Sequence, residues 1–504
     1  MDKRPLRPVG LIRNPVSLFG IGIACLNTAV GLPLMVTDFF SRHTNAYLGV
    51  VIYLVCPMGA TAGVILILLG LLWERRRRKR RPELGQTRLP SLDLNRPSHR
   101  AFLLGAFLVA MTGVMLLSLT GYRAYHFTES VEFCGLVCHQ VMKPEFTAYQ
   151  HSPHARVACA SCHVGPGASW FVRSKITGAY QVYAVSLKKY PRPIPTPIED
   201  LRPAQETCEQ CHWPEKFFGA KQKVFQHYLA DETNSPWQIQ MLIKVGGGDP
   251  ERGTPAGIHW HMNINKEIYY AARDEGREEI PWIKVVDRGG HATEYVSTEN
   301  PLTAGELASR EVRRMDCMDC HNRPSHHFHP PDRAVERAFE TERLDPTLPY
   351  LKREAIRILA EPYLSEDEAV SKIQKGLAAY YERSFPDLAR EKALEIRRSA
   401  EELGKIYARN FFPEMKADWR AYPDHIGHLN SEGCFRCHDG LHRSGEGHTI
   451  TKDCNACHTI LAQGPPQEVA AASLVSQPFR HPVDLGMDVT EFKCSQCHQG
   501  TSGL

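Results

Sequence analysis

Seven times between Cys134 and His498 the chain sets two cysteines a short step apart and follows the second directly with a histidine. The groups are Cys134, Cys138 and His139; Cys159, Cys162 and His163; Cys208, Cys211 and His212; Cys317, Cys320 and His321; Cys434, Cys437 and His438; Cys454, Cys457 and His458; and Cys494, Cys497 and His498. Two thiols on one turn can each form a thioether to a haem vinyl group, while the next side chain lies over the macrocycle and ligates the iron. Fourteen of the sixteen cysteines are used in this way, which leaves Cys25 and Cys56 and no material for a disulfide framework. Structural zinc sites also use paired cysteines, but they need motifs in close pairs and no fixed histidine after each one. All seven groups here carry that histidine, so seven covalently bound c-type haems are expected. The first group stands apart because three residues separate its cysteines.

An electron-transfer haem with low-spin iron needs a sixth ligand. Beyond the seven proximal histidines, the chain after residue 122 holds fifteen more. The candidate distal ligands are His151, His154, His227, His326, His327, His425, His428, His442, His448 and His481, most of which, like His329, lie near a motif. Met142 is the thioether candidate for the first iron. No motif ends in lysine, which removes the easiest signature of a multihaem nitrite reductase. The surplus of histidine points to six-coordinate wires, not to open catalytic haems.

These groups need a frame. Three apolar stretches precede the first motif, Val16 to about Phe40, Tyr47 to Trp73 and Ala101 to Gly121, each long enough for the roughly 20 helical residues that cross a hydrocarbon core. Asn27, Pro33 and Pro57 within them are tolerated where a neighbouring helix satisfies the freed polar groups. The first stretch exceeds the roughly 7–15-residue core of a signal peptide and a second follows, so it reads as an anchor. Lys3, Arg4, Arg7 and Arg13 precede the first span and the run Arg75–Arg81 follows the second. The positive-inside rule makes both segments cytoplasmic and sends everything after the third span to the other side. That places the haem motifs in the periplasm of a bacterial inner membrane. Beside a span, the basic run is a topological signal and not a nucleic-acid patch, and the net charge of +4 selects no partner.

The fold class expected is three N-terminal transmembrane helices followed by an irregular, haem-packed multihaem cytochrome c domain with a small β insertion and an α-helical insertion. Residues 1–121 form the anchor with its basic loop 74–100, 122–216 a triple-haem domain, 217–310 the β-rich insertion, 311–331 the fourth haem segment, 332–424 the helical segment, and 425–504 a second triple-haem domain. In the β part, Ile239, Met241, Ile243 and Val245 alternate up to Gly246–Pro250, and Trp282–Val286 and Thr293–Ser297 flank a hairpin turn. In the helical part, Ser365 and Glu368 have capping-box spacing, Val370, Ile373, Leu377 and Tyr381 recur at helical steps, and Pro386 restarts a helix with Leu388, Leu394, Leu403 and Ile406 as its buried stripe.

The third span running into Glu132-Phe133-Cys134, the string Cys138–Met142, the run Glu145–His163, and Trp170 and Lys175 together resemble the NapC/NirT/NrfH family of membrane-anchored quinol dehydrogenases, over about residues 100–215. The layout of three spans and seven haems is similar to inner-membrane cytochromes of the ImcH type. The resemblance implies oxidation of quinol, menaquinol or another, drawn from the membrane quinone pool, and delivery of electrons to periplasmic c-type cytochromes or a partner respiratory complex, with homo-oligomer or hetero-complex left open. It also implies a lysine and an acidic residue at the quinol pocket. Lys175 takes the lysine position; Gly178–Tyr183 offers no carboxylate, so Glu145 is the substitute. The family's first motif is CxxCHxM, and here both spacings are longer, which leaves open whether His139 or Met142 ligates the first iron. The competing reading is a conduit subunit whose quinone site lies in another protein.

Overall fold

The computed structural model describes residues 12, 14–40, 46–80, 93–165, 168–198, 202–247, 256–469, 473 and 475–501. Lys3, Arg4, Arg7, Arg13, Arg81 and Gly248-Asp249-Pro250 lie outside them. The chain forms two compact units, Met1–Met142 with Ala158–Ala160, and Lys143–Val157 with Ser161–Leu504.

In the first unit, α1 (Pro15–Phe40) and α2 (Cys56–Arg80) pack as an antiparallel pair. Pro15–Thr37 and Leu48–Arg80 are the two helical stretches, among the described residues, long and apolar enough to cross a membrane. Their packing follows from small residues at the seam. A Cβ on Gly20 would lie 2.6 Å from the Gly63 carbonyl oxygen, and one on Gly63 the same distance from that of Gly20, so the backbones touch. Close approach of this kind is how helices associate where lipid removes any hydrophobic drive between them. The Asn14 side-chain amide donates to the Gly70 carbonyl (3.1 Å) and the Ser17 hydroxyl to that of Ile67 (3.2 Å). Outward, Phe19, Leu26, Val64, Ile65, Leu68 and Leu69 are exposed, the inside-out pattern of lipid-facing helices. Pro57 has no N–H for the helical ladder, and the turn before it widens into a π-helix, Val51–Val55. Its Tyr53 meets Phe127 of α3 (Pro97–Thr128) at 5.7 Å between ring centres. This 32-residue helix is about 48 Å long at 1.5 Å per residue.

The second unit begins with the end of α4 (His139–Gln150) and with α5 (Ala168–Ser186). Two antiparallel sheets follow. The strands are β1 (Ala220–Tyr228), β2 (Pro236–Lys244), β3 (Lys266–Ala271), β4 (Trp282–Asp287), β5 (Ala292–Ser297), β6 (Arg313–Arg314), β7 (His442–Ser444) and β8 (His458–Gly464), in the orders β1-β2-β8 and β6-β3-β4-β5-β7. The β-rich stretch is therefore not closed on itself: β8 pairs with β2 and β7 with β5, so the last third of the chain completes both sheets. Trp237, Ile239 and Ile460 bury the inner face of the smaller sheet, and Ile268, Tyr270, Ile280 and Ile283 that of the larger.

The helical part comprises α6 (Pro331–Glu340), α7 (Leu351–Leu359), α8 (Glu366–Ser384) and α9 (Ala393–Asn410), packed around Leu351, Ile356, Leu359, Ile373, Leu377, Tyr381 and Leu403. Ser365 caps α8 through the Glu368 amide (3.2 Å), but the Glu368 carboxylate takes the Leu364 amide (2.8 Å), so only half the expected capping box forms. The helix restarted at Pro386 ends at Glu391, and α9 begins at Ala393 with a new phase. That shift turns Leu394 outward and makes Ile396, Ala400, Leu403 and Ile406 the buried stripe, a correction to the predicted one.

Candidate haem sites

A CxxC pair must present both sulfurs on one side, and a helical turn of three to four residues does so. In a 3₁₀ turn, i and i+3 eclipse. The motifs at Cys208–Gln210, Cys317–Asp319, Gly433–Arg436 and Cys454–Ala456 are 3₁₀ turns, and Cys159–His163 and Cys494–Cys497 are α-helical. The amides of His212, His321, His438 and His498 donate to the carbonyl of the first cysteine at 2.8–3.0 Å, fixing the histidine just beyond the second sulfur. The longer first motif adopts the wider π turn, Phe133–Val137, before α4 opens at His139. Met142 lies one helical turn past Cys138, its amide donating to the Cys138 carbonyl at 3.0 Å. The His139 side chain is outside the described set.

The remaining six motif histidines each face a second histidine. Ring centres are 5.7 Å apart for His438 and His261, 6.0 Å for His498 and His481, 6.2 Å for His212 and His154 and for His163 and His326, 6.3 Å for His458 and His428, and 6.4 Å for His321 and His259. Two imidazoles on opposite sides of one metal, each bonded at about 2 Å, place their ring centres about 6 Å apart. The residues present therefore fit haem iron held by two histidines. Tautomers agree. Nδ1–H donates to a backbone carbonyl in His154 (Pro324, 3.2 Å), His259 (Val245, 2.7 Å), His261 (Ile258, 2.9 Å), His326 (Glu145, 3.0 Å) and His481 (Val483, 2.7 Å), which leaves Nε2 as the lone-pair nitrogen. Burial lowers the basicity of His163, His259, His321, His326, His428, His458 and His498, and takes His261 down to about 4, keeping these rings in the neutral form that binds metal.

Of the predicted distal candidates, His154, His326, His428 and His481 are thus brought to motif histidines. Six others face none of the six motif histidines whose side chains are described, and each has another partner. His425 is tied at both nitrogens, to the Asp319 carbonyl (3.3 Å) and to Glu278 (2.7 Å). His442 bonds Asp439 (2.9 Å) and the Ile280 carbonyl (2.7 Å); burial alone would lower its pKa, but these acceptors outweigh it and raise it. His227 bonds Glu336, His327 pairs with Asp424 at 3.5 Å, exposed His448 with Glu446 at 3.6 Å, and His151 bonds the Thr147 carbonyl of its own helix at 2.9 Å. Sequence reading passed over His259 and His261, which lie far from the motifs they face. The one available signal was two histidines alternating with Ile258, Trp260 and Met262, a polar pair in an apolar turn.

That turn, Ile258–Met262, serves two motifs. The same two are joined from behind. Arg436, inside the fifth motif, donates to the Asp319 carbonyl of the fourth (2.6 Å) and to the Arg277 carbonyl (2.8 Å). The buried Asp319 carboxylate accepts from Tyr270 (2.6 Å), Arg277 (3.2 Å) and Arg313 (3.1 Å). Elsewhere, Cys134 lies beside Cys159 and Cys208 beside Cys317, so consecutive motifs are neighbours.

Lys175 sits half-buried on α5. Glu145, on α4, is engaged: its carboxylate meets Arg323 at 3.2 Å and His326 at 3.1 Å. It thereby orients the ring that faces His163.

Over nearly its whole length the chain is similar to the cytochrome c-type protein ImcH of Geobacter sulfurreducens, 43% identical over 498 residues that cover 98% of this chain and 97% of that protein. It belongs to the ImcH-type c-type cytochromes. Residues 96–193 match the NapC/NirT cytochrome c family, N-terminal region. The cytochrome c-type protein NrfH of Wolinella succinogenes is 28% identical over 109 residues, 21% of this chain and 60% of that protein. No solved structure matches. The chain is thus a membrane-anchored multihaem cytochrome of electron transport with covalently bound haem.

Proposed function

We propose that this cytochrome carries seven haems, oxidises membrane quinol, menaquinol or another, and passes the electrons to periplasmic c-type cytochromes or a partner respiratory complex. In this reading three helices anchor it in a bacterial inner membrane, α1, Leu48–Arg80 and α3, with the N-terminus cytoplasmic and the haem-bearing part periplasmic. The observation that carries it is the set of six facing histidine pairs. Irons closed on both sides relay electrons and leave no position for a small oxyanion to bind.

Bound haem supplies one-electron exchange at its iron. The protein's part is to hold it: paired thiols for attachment, neutral imidazoles with fixed tautomers on either side, and Glu145 and Arg323 behind His326. Quinol becomes quinone by losing two electrons and two protons; the electrons leave singly to the external acceptor and the protons to periplasmic water. Lys175 is the residue proposed to hydrogen-bond the quinol oxygen as its proton departs.

The test uses the purified holoprotein and a reduced menaquinol analogue. Haem reduction without any other protein supports the quinol site; none, with intact haem content, makes the chain a conduit for another subunit's site. Lys175→Ala should slow quinol-driven reduction about 10²-fold, the scale of one positioned acid–base group. Reduction by dithionite should not change, and equal quinol rates in both proteins would remove Lys175 from the site.

A further inference from the structure

The long helices α8 and α9 of the second unit bury their apolar faces. On α8 the side chains at helical spacing, Ile373, Leu377 and Tyr381, point inward, and the same holds for Ile396, Ala400 and Leu403 on α9. On α5 the order is reversed. Val172, Ile176, Tyr180 and Tyr183, with Leu187 just past the end of the helix, at steps of four, four, three and four, form one stripe, each 48–67% exposed; Val182, on another side, is exposed as well. At 100° per residue these five span an arc of about 80° on one side of the helix. Ala184, about 40° beyond that arc, is buried, so the covered side of the helix is another one. Scattered exposed apolar side chains need no explanation, but five in one stripe mark an interaction surface.

The chemistry of the stripe and its borders selects the partner. Tyr180 and Tyr183 are amphipathic aromatics. Arg173 lies over Trp170 at 5.6 Å, and Lys189, past the C-terminal end, over Tyr183 at 5.3 Å. An apolar stripe with tyrosines and flanking Trp, Arg and Lys is the composition of a helix lying in a membrane–water interface. The chain is already anchored by membrane helices, so a bilayer is at hand.

We propose that the outward face of α5 is a lipid-binding surface, embedded in the headgroup and acyl-chain boundary of the bilayer the anchor crosses. This assignment does not depend on quinol being the electron donor. It is tested in the haem-loaded full chain in native-lipid membranes, with the photoreactive residue p-benzoyl-phenylalanine placed in turn at Ile176, at Tyr183 and, on the opposite exposed side, at Gln181. Illumination followed by mass spectrometry should find phospholipid adducts at 176 and 183, at least tenfold above those at 181. Adducts at 176 and 183 to another part of this chain, to a second copy or to another protein would overturn the proposal. So would equal lipid labelling at all three positions, or no adduct at 176 and 183. An unchanged pyridine haemochrome spectrum for each variant establishes that it folded.

Discussion

A single imidazole decides whether an iron relays electrons or stands open, and the two classes of histidine here make opposite predictions. His259→Ala should leave its haem attached, because Cys317, Cys320 and His321 remain, yet free one axial position. EPR should then show a high-spin signal equivalent to one haem; a spectrum that stays fully low-spin would remove His259 from the ligand set. His442→Ala should show no high-spin signal and instead lose about 1–3 kcal/mol of stability from buried acceptors left unpaired. The motif histidines were legible in the sequence because attachment chemistry sets them one residue past a cysteine. The histidines that face them are brought by chain closure, and local spacing carries no trace of the Ile258–Met262 turn meeting motifs at Cys317 and Cys434. A second residue-scale test concerns Glu336, buried with Lys352 at 2.9 Å and His227 at 3.2 Å. Burial alone pushes its carboxyl up, but the His227 hydrogen bond and the Lys352 ammonium outweigh that and hold it at about 2. A carboxyl depressed on folding stabilises fully above its unfolded value near 4.3 and loses that contribution as pH falls toward 2. Glu336→Gln should therefore cost about 3–5 kcal/mol at pH 7, with the gap to wild type closing between about pH 4.5 and 2 in thermal melts.

At the scale of elements, periodicity predicts what packs locally and misses what pairs at a distance. The stripe Ile373, Leu377, Tyr381 is read from helical steps alone. The phase of α9 is not, since a break at Lys392 between two short-range helix signals resets which residues face inward. Leu403→Ala should cost about 2–5 kcal/mol as a fully buried truncation, whereas Leu394→Ala should stay within about 0.5 kcal/mol. Equal melting shifts for the two would show that the predicted phase, not the observed one, is right. The sheets show the same limit. β2 and the β4–β5 hairpin are visible as alternation and turn chemistry, but the pairing of β2 with β8 joins residues more than 200 positions apart, and nothing in either strand names its partner. β8 begins at His458, the last residue of the sixth motif, so folding of the smaller sheet and placement of that histidine are one event.

For the whole molecule, topology and haem chemistry constrain each other. Attachment of c-type haem takes place on the outer side of a bacterial inner membrane, so every motif from Cys134 onward has to be exported if all are to be filled. An odd number of spans before Cys134 achieves this with a cytoplasmic N-terminus; an even number does so only if the N-terminus is outside, against the basic residues that flank the first two apolar stretches. The two apolar helices Pro15–Thr37 and Leu48–Arg80 alone would return the chain to the side on which it started. The count of spans therefore rests on α3. A phosphatase or fluorescent reporter fused after residue 85 should report the cytoplasm and the same reporter at the C-terminus the periplasm, and one compartment for both would remove the three-span arrangement. Intact mass after denaturation should then show seven haem additions. Export without a full complement, at six, would single out the Cys134–Cys138 pair, the one motif with three residues between its cysteines and a π turn where the other six have 3₁₀ or α turns.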